Sequence, residues 1–258
     1  MQLNNTAAIV TGGASGLGAA TAAALVKHGV TVFALDLAQA IDNAPAIEGV
    51  QYLPTDVTNG DQVRQAVQTV ASSGAPLRTV VNCAGIGPSA RILGRSGVHD
   101  LDLFAKIVRI NLCGSFNVLA VAAEAIAQTD ADENGQRGVI INTASVAAFD
   151  GQVGQAAYSS SKGGIAALTL PAARDLAQYG IRVCTIAPGI IDTPMLATVS
   201  EEFRSHLAAG IPFPHRLGRP DEYAQLVTMI IDHDYLNGET IRLDGSLRMA
   251  PRCSPQGD

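Results

Sequence analysis

Short apolar runs, most of them with β-branched side chains, recur along the chain between stretches that suit helices. Continuous apolar runs of this length are typical of strands that are buried on both faces. The predicted strands are residues 6–10, 30–35, 50–53, 79–83, 138–143 and 181–186, with a last strand at 239–243. Their alternation with helical stretches predicts an α/β fold.

The segments between the strands complete this pattern. With 258 residues and no Pro/Gly/Ser-rich linker or charge run, the chain is predicted to form one domain that spans 1–258. The loop at 86–97 lies on the side of the strand carboxyl ends, where open α/β sheets bind ligands. Residues 195–217 lack a clean periodicity, so we interpret the segment at about 190–217 as a mobile lid over a substrate.

Three polar side chains follow the strand at 138–143. Ser145 comes directly after it, and Tyr158 and Lys162 lie four residues apart in the helix predicted at 156–178. Residues at this spacing share one face of a helix, one turn apart. A hydroxyl, a phenol and an ammonium group can therefore converge.

A tyrosine with its ordinary pKa of about 10 is a poor base at neutral pH. The pKa must fall by roughly 2–3 units, equivalent to about 3–4 kcal/mol. A lysine cation about 4 Å away supplies roughly 4 kcal/mol at an effective dielectric constant near 20. The alternative is a surface tyrosine and lysine on an amphipathic helix, because the Tyr-x-x-x-Lys spacing is common by itself. The remaining motifs favour the catalytic interpretation.

The first strand leads directly into a glycine-rich turn and a helix. Gly12, Gly16 and Gly18 permit a tight turn, close approach of the backbone to a pyrophosphate, and close packing of helix against strand. The helix N terminus offers free N–H groups to the phosphates. A glycine-rich turn also occurs as plain structure, but its place between strand and helix indicates dinucleotide binding.

Asp36 ends the second strand, 18 residues after Gly18. A carboxylate there can bind the hydroxyls of the adenosine ribose and would repel a 2′-phosphate. Residues 11–26 and 37–47 contain no Lys or Arg that would compensate for this charge. NAD is therefore the predicted cofactor, and an aspartate that only caps a turn is the alternative.

Two further loops can meet the same dinucleotide. Asp56 and Val57 follow the third strand, where the carboxylate can accept a hydrogen bond from the adenine amino group. Alternatively, Asp56 is only a turn residue before the helix that begins near Asn59. The small residues Ala84 and Gly85 leave room for a ribose against the backbone, although they also suit simple packing.

Asn111 lies in an otherwise apolar helical stretch, and a buried amide there must be hydrogen-bonded. Bonds to the backbone would account for it, and a water relay toward Lys162 is the alternative. Further along, Pro188 and Pro194 fix a loop that can reach across a nicotinamide. Thr193 in this loop is available for the carboxamide or the pyrophosphate.

The composition excludes several classes of function. A net charge of −6 with only 17 Lys+Arg argues against a nucleic-acid-binding surface. We find no presequence and no apolar run long enough to span a bilayer, so we expect a soluble cytoplasmic protein without membrane contact. The histidines and cysteines show no metal-ligand spacing, so we expect no catalytic metal. Buried reduced thiols are expected at Cys83, Cys113, Cys184 and Cys253.

In combination, these motifs resemble the short-chain dehydrogenase/reductase family over essentially the whole chain. The residues that carry the resemblance are Thr11, Gly12, Gly16, Gly18, Asn82, Ala84, Gly85, Asn111, Ser145, Tyr158, Lys162, Pro188 and Gly189. The chain looks more narrowly like the type II 3-hydroxyacyl-CoA dehydrogenases, which also act as 17β-hydroxysteroid dehydrogenases. This narrower resemblance lies in residues 136–149, 151–158, 212–214, 216–218 and 241–245.

The resemblance implies a single-domain Rossmann fold with a seven-stranded parallel, doubly wound sheet, a homotetramer, and NAD. It assigns acid/base catalysis to Tyr158, ribose binding and polarisation of Tyr158 to Lys162, and the substrate oxygen to Ser145. It assigns the proton relay to Asn111 and places Gln152 beside the substrate. The cofactor contacts that it suggests are Ser15, Leu17, Asp36, Asp56, Val57, Cys83, Ile191 and Thr193, of which Ile191 stands where close relatives carry a phenylalanine.

The function that follows is reversible oxidation of a 3-hydroxyacyl-CoA to the 3-ketoacyl-CoA, with hydride going to NAD and the hydroxyl proton to Tyr158. One alternative is an NAD-dependent dehydrogenase of hydroxysteroids or other secondary alcohols. Another is a scaffold that only binds a dinucleotide, since a fold does not fix a function. The complete set of Ser145, Tyr158 and Lys162 disfavours the scaffold, because a pure binder does not need all three.

Overall fold

The computed structural model describes residues 1–95, 97–196 and 200–252, and its centre is a parallel sheet. The strands are β1 (Ala7–Thr11), β2 (Thr31–Asp36), β3 (Val50–Pro54), β4 (Leu77–Asn82), β5 (Leu93–Gly94), β6 (Gly97–Val98), β7 (Gly138–Thr143), β8 (Ile181–Pro188) and β9 (Thr240–Leu243). Seven of them form one sheet in the order β3-β2-β1-β4-β7-β8-β9, and every neighbouring pair is parallel. This confirms the predicted fold class and all seven predicted strands.

Helices cover both faces of the sheet. They are α1 (Gly16–Lys27), α2 (Ala38–Ile41), α3 (Gly60–Ala71), α4 (Leu101–Val108), α5 (Gly114–Ala127), α6 (Ala156–Ala177), α7 (Glu201–Ala209) and α8 (Pro220–Asp232). Side chains alternate between the faces along each strand. Ile9 and Val80 belong to the core under α3, α5 and α6, whereas Val10 and Val81 belong to the core under α1 and α8.

The strand order reverses beside β1, because β2 and β3 lie on one side of it while β4, β7 and β8 lie on the other. Loops that leave neighbouring parallel strands in opposite directions open a crevice at the carboxyl ends of those strands. The turns after β1, β2, β4, β7 and β8 therefore meet at one edge of the sheet.

The structure corrects three predictions about local structure. The helix predicted from about residue 100 to 127 is interrupted by a π-helical turn at Arg109–Cys113. The loop predicted at 86–97 contains β5, which pairs antiparallel with β6 at the end of the loop. The predicted lid contains α7, whose first turn is capped by Ser200, and only Leu207 of α7 is buried. A helix with so little buried surface leaves a weak apolar period.

Two predictions fall partly outside the described residues. The lid includes residues 197–199, and the loop at 86–97 includes Ser96. Closure of the lid stays a prediction. Among the described cysteines, Cys184 is buried and Cys83 is half-buried, but Cys113 is exposed, so the expectation of buried thiols was wrong for Cys113. Cys253 lies outside the described residues.

One long helical segment has the length and composition of a membrane-spanning helix. The 27 residues of Leu101–Ala127 pass that test, with 44% of their apolar window buried inside the protein. The expectation that no apolar run reaches this length was therefore wrong. Val118, Ala122 and Ile126 are fully buried in the core beside the sheet, so the apolar composition fits the packing of a core helix.

Candidate active site

A cavity of about 1150 Å³ opens where the turns after the central strands meet. It is lined by almost every residue that the sequence analysis selected for cofactor or substrate. These residues are Gly12, Ser15, Gly16, Leu17, Gly18, Asp36, Asp56, Val57, Cys83, Ala84, Gly85, Ser145, Tyr158, Lys162, Pro188, Ile191 and Thr193. Asn111 and Gln152 do not belong to the lining.

The turn after β1 has no room for side chains at two of its glycines. A Cβ atom on Gly12 would lie 2.8 Å from the main-chain nitrogen of Ala84, and the φ angle of Gly12 is +64°. A Cβ atom on Gly18 would lie 2.2 Å from the carbonyl oxygen of Gly12. The turn therefore packs closely against the loop after β4 and against α1. Because these glycines have no side chains, the backbone of the turn itself lines the cavity.

The N terminus of α1 faces this cavity. Ser15 is its N-cap residue, and within the described part of the chain its side chain makes no capping hydrogen bond. The first-turn N–H groups therefore lack a side-chain cap beside the cavity, and a helix N terminus favours an anion. Thr193 lies beside this turn, 3.5 Å from the position of a Cβ atom on Gly16. The arrangement fits the pyrophosphate of a dinucleotide.

Asp36 is fixed by two backbone groups. Its Oδ2 accepts a hydrogen bond from the N–H of Ala14 at 3.1 Å, and its Oδ1 accepts one from the N–H of Leu37 at 2.9 Å. A carboxylate can accept about four hydrogen bonds, so both oxygens keep capacity for a ligand. Asp36 thus combines the turn-stabilising role with a position on the cavity wall.

The structure assigns the helix cap after β3 to Asn59, not to Asp56. Asn59 Oδ1 accepts from the N–H groups of Asp61 and Gln62 at 3.1 and 3.2 Å. Asp56 Oδ1 instead accepts from the N–H and the hydroxyl of Thr58, each at 2.8 Å. Asp56 is therefore a local turn residue that also lines the cavity.

Ser145, Tyr158 and Lys162 converge as the sequence predicts. Ser145 follows β7 in an extended conformation, and its Oγ accepts a hydrogen bond from the N–H of Ala147 at 3.1 Å. The side chains of Ser145 and Tyr158 are joined by a hydrogen bond. One turn along α6, Lys162 is buried, and its Nζ lies 5.8 Å from the centroid of the Tyr158 ring.

The protonation states differ from the simple expectation that the lysine makes the phenol more acidic. Burial raises the pKa of Tyr158 above its ordinary value, and the hydrogen bond with Ser145 offsets this only in part. Burial also lowers the pKa of Lys162 to about 8. The Lys162 ammonium donates to the carbonyl oxygen of Thr143 at 2.7 Å, so its charge is directed at that carbonyl group. The structure therefore holds Tyr158 as a proton donor.

Asn111 lies in the π-helical turn and is fully buried. Its Oδ1 accepts from the N–H of Ile86 at 2.8 Å, and its Nδ2 donates to the carbonyl of Ile86 at 2.9 Å. The same Nδ2 donates to the hydroxyl of Ser161 at 3.0 Å, and Ser161 in turn donates to the carbonyl of Tyr158 at 2.8 Å. These bonds account for the buried amide and tie the loop after β4 to α6. A relay toward Lys162 stays a prediction.

Thr143 and Tyr223 support the site, and the sequence analysis missed both. The carbonyl of Thr143 holds Lys162, while its hydroxyl lies 2.7 Å from the hydroxyl of the fully buried Tyr223. Cys83 Sγ lies 3.7 Å from both hydroxyls, and burial raises the pKa of its thiol. Thr143 ends an apolar run and Tyr223 lies in an ordinary amphipathic helix, so neither polar atom gives a signal until its partners are known.

Gln152 is not part of the cavity lining, and its place beside the substrate stays a prediction. Its Nε2 donates to the carbonyl of Ala250 at 2.7 Å, which directs the amide toward the C-terminal segment. Gln155 and Met249 contribute to the lining instead. The hydrogen bond between Gln152 and Ala250 joins residues that are far apart in the sequence. No group of three or more His, Cys, Asp or Glu residues suited to a metal occurs among the described residues.

Comparison with known proteins agrees with this geometry. A family model described as short chain dehydrogenase matches residues 6–203. The 3-hydroxyacyl-CoA dehydrogenase type-2 of Drosophila melanogaster is 48% identical over 254 residues, which cover 96% of this chain and 100% of that protein. The protein of the same name from Bos taurus is 50% identical over 249 residues, 95% of each chain. A crystal structure of 3-hydroxyacyl-CoA dehydrogenase type-2 from Mycobacterium avium superposes with a TM-score of 0.91 at 41% identity, covering 96% of this chain and 98% of that one.

Proposed function

The chain belongs to the short-chain dehydrogenase family and is an oxidoreductase, and on this basis we propose that it interconverts 3-hydroxyacyl-CoA and 3-ketoacyl-CoA esters with NAD. The observation that carries the proposal is that Ser145, Tyr158 and Lys162 converge on one cavity. The same cavity is lined by the glycine-rich turn after β1, which we call the dinucleotide cradle. The substrate class is supported by relatives named 3-hydroxyacyl-CoA dehydrogenase type-2, which match this chain over nearly its whole length.

A nicotinamide dinucleotide supplies the ring carbon that accepts or gives up the hydride. The residues that would hold it are the cradle at Gly12 and Gly18, the N terminus of α1, and Asp36 at the end of β2. The narrow turn fits a pyrophosphate because the backbone approaches without side chains, and the carboxylate fits ribose hydroxyls.

The protein side chains carry the proton chemistry. In reduction, the Tyr158 hydroxyl donates its proton to the substrate oxygen while the carbonyl carbon gains hydride. Ser145 donates a hydrogen bond to the same oxygen, so the two hydroxyls orient the ketone. Lys162 is anchored on the carbonyl of Thr143 with its Nζ 5.8 Å from the centroid of the Tyr158 ring, and its positive charge there favours the phenolate that remains. In oxidation, this phenolate accepts the proton of the substrate hydroxyl.

Replacing Asp36 by alanine should weaken NAD binding and reduce the preference for NAD over NADP. The substitution removes a charged acceptor, worth about 1.5–3 kcal/mol or a factor of roughly 10–100 in affinity. It also removes a charge that repels a 2′-phosphate. The ratio of kcat/KM for the two cofactors measures the effect. Asp42→Ala changes an exposed aspartate outside the cavity lining and is the matched control; an unchanged ratio in Asp36→Ala would refute the role of Asp36.

Acetoacetyl-CoA should be reduced with a higher kcat/KM than a 17-ketosteroid. The cavity lining includes Lys106 and Arg109, whose positive charges suit the phosphates of CoA and which a neutral steroid would not use. Steady-state kinetics with both ketones, each with NADH and with NADPH, tests this preference. A higher value for the steroid would establish the alternative function, that of an NAD-dependent hydroxysteroid dehydrogenase.

The basic residues in and beside the predicted lid are less suited to bind the phosphates of CoA than Lys106 and Arg109. Arg216 forms two hydrogen bonds with Glu222, at 2.8 and 2.6 Å, and Arg204 is paired with Asp192. Their charges are compensated within the protein. The basic residues at 204–219 are therefore not part of the proposal.

We also propose a homotetramer. Apolar side chains are exposed along the α4, α5 and α6 layer, where Leu101, Phe116 and Leu170 are 76%, 49% and 45% exposed. Exposed apolar surface of this kind supports association between copies of the chain. Light scattering coupled to size-exclusion chromatography measures the assembly. A cytoplasmic location stays a prediction.

A further inference from the structure

The C-terminal segment crosses the loop that joins Ser145 to Tyr158. We call residues 247–252 the C-terminal strap and residues 149–155 the catalytic loop. Hydrogen bonds from Gln152 and Val153 connect them. The Gln152 side chain donates to the carbonyl of Ala250 at 2.7 Å, and the N–H of Val153 donates to the carbonyl of Pro251 at 2.9 Å. The strap is therefore held against the residues that lead into the catalytic helix.

The beginning of the strap is fixed by a separate set of charges. Arg242 on β9 pairs with both Asp150 and Asp244, and it also donates to the carbonyl of Leu247 at 2.9 Å. Arg248 pairs with the same Asp244 at 3.1 Å, and Leu247 is buried. These contacts hold the start of the strap even without Gln152, so Gln152 contributes to holding only its later part.

Met249 lies between these two anchors and lines the cavity. Ser145 and Tyr158 belong to the same lining, and the strap is bonded to the loop between them. Met249 thus shares this cavity with the two hydroxyls that a ketone must meet. The dinucleotide cradle belongs to the turn after β1, a different part of the lining.

We propose that Met249 is the wall that limits the size of the acyl group, and that Gln152 is a positioning residue that holds this wall in place. This inference rests on the proposed function for the identity of the substrate. Gln152 acts through the strap, since its amide is used on Ala250 and its side chain is absent from the described cavity lining. Methionine suits such a wall because its unbranched, flexible side chain adapts to apolar surfaces.

Shortening the wall should favour longer acyl groups. The Met249→Ala variant opens space in the cavity, so the ratio of kcat/KM for 3-ketodecanoyl-CoA to that for acetoacetyl-CoA should rise by about tenfold, the usual effect of a few methylene contacts. The Gln152→Leu variant keeps the side-chain size but cannot donate to Ala250. It should move the same ratio in the same direction, because it releases the wall.

A double variant distinguishes positioning from direct binding. If Gln152 acts through Met249, the ratio for Gln152→Leu combined with Met249→Ala should not exceed the larger single effect. A Gln152→Leu variant that loses kcat/KM equally for both esters, additively with Met249→Ala, would overturn the proposal. Met229→Ala is the control, because Met229 is 60% exposed on α8 and lies outside the cavity lining.

Amide hydrogen exchange tests the hydrogen bond between Gln152 and Ala250, which we call the clasp, without any substrate. Loss of one hydrogen bond, worth about 1 kcal/mol, should speed exchange at Val153 and in the strap by roughly fivefold in Gln152→Leu. Gln65→Leu, at an exposed position on α3, is the control. Unchanged exchange would overturn the clasp even if acyl-CoA turnover is normal. A wild-type enzyme inactive on both esters would refute the proposed function, and faster exchange in the variant would then still establish the clasp.

Discussion

Replacing Tyr158 by phenylalanine should lower kcat/KM by about 10²–10⁴-fold, the usual contribution of a positioned acid or base, while NADH binding stays close to that of the wild type. The phenyl ring keeps the shape of the cavity wall. It removes the proton that burial retains on the phenol and the hydrogen bond with Ser145. Turnover and cofactor affinity should therefore separate in this variant.

Steady-state reduction of acetoacetyl-CoA and fluorescence titration with NADH measure the two quantities. Tyr179→Phe is the matched control, because Tyr179 is an exposed tyrosine just after α6. Activity like that of the wild type in Tyr158→Phe would contradict the acid/base role. Loss of NADH binding would instead show that the hydroxyl serves mainly to hold the cofactor.

Replacing Lys162 by methionine should lower kcat/KM by at least about 10²-fold without destabilising the fold at neutral pH. Burial holds the pKa of Lys162 at about 8, below its ordinary value of 10.5. At neutral pH this difference corresponds to a penalty of about 3 kcal/mol for the buried charge. Methionine removes that penalty, and the lost hydrogen bond to Thr143 offsets about 1 kcal/mol of the gain.

The pH dependence of this stability difference has a definite sign. Below pH 8 the native and the unfolded wild type both hold the proton, so the full penalty applies. Between pH 8 and 10.5 the native state releases the proton while the unfolded state keeps it, so wild-type stability rises with pH. The advantage of Lys162→Met in the free energy of unfolding should therefore shrink above pH 8.

Denaturant unfolding at several pH values measures this difference, with Lys27→Met at an exposed position as the control. A variant that is less stable than the wild type at pH 7, with a gap that does not change above pH 8, would contradict the account. The expected result would mean that the buried lysine is retained for catalysis at the expense of stability.

The sequence was sufficient to predict the sheet and the cofactor cradle because both depend on local constraints. A strand such as 138–143 is buried on both faces, so its apolar run is continuous. Gly12 and Gly18 are required because a Cβ atom there would meet backbone atoms. The catalytic spacing in α6 follows from the period of the helix itself.

Features that depend on distant partners could not be predicted in the same way. Gln152 bonds to Ala250, which lies 98 residues further along the chain. The pKa of Lys162 depends on how deeply α6 buries the ammonium group, which the Tyr-x-x-x-Lys spacing does not specify. Helix α7 was missed because only Leu207 is buried, and the π-helical turn because it preserves the apolar pattern of its neighbours.

The central claim is that this cavity transfers a hydride between a 3-hydroxyacyl-CoA and NAD, with Tyr158 as the acid/base group. The most direct measurement is the formation of NADH by the purified protein with NAD and each enantiomer of 3-hydroxybutyryl-CoA separately. We expect one enantiomer to yield NADH and acetoacetyl-CoA in equal amounts, and Tyr158→Phe to yield almost none. Absence of NADH with both enantiomers, in a preparation that oxidises a 17-hydroxysteroid, would contradict the claim.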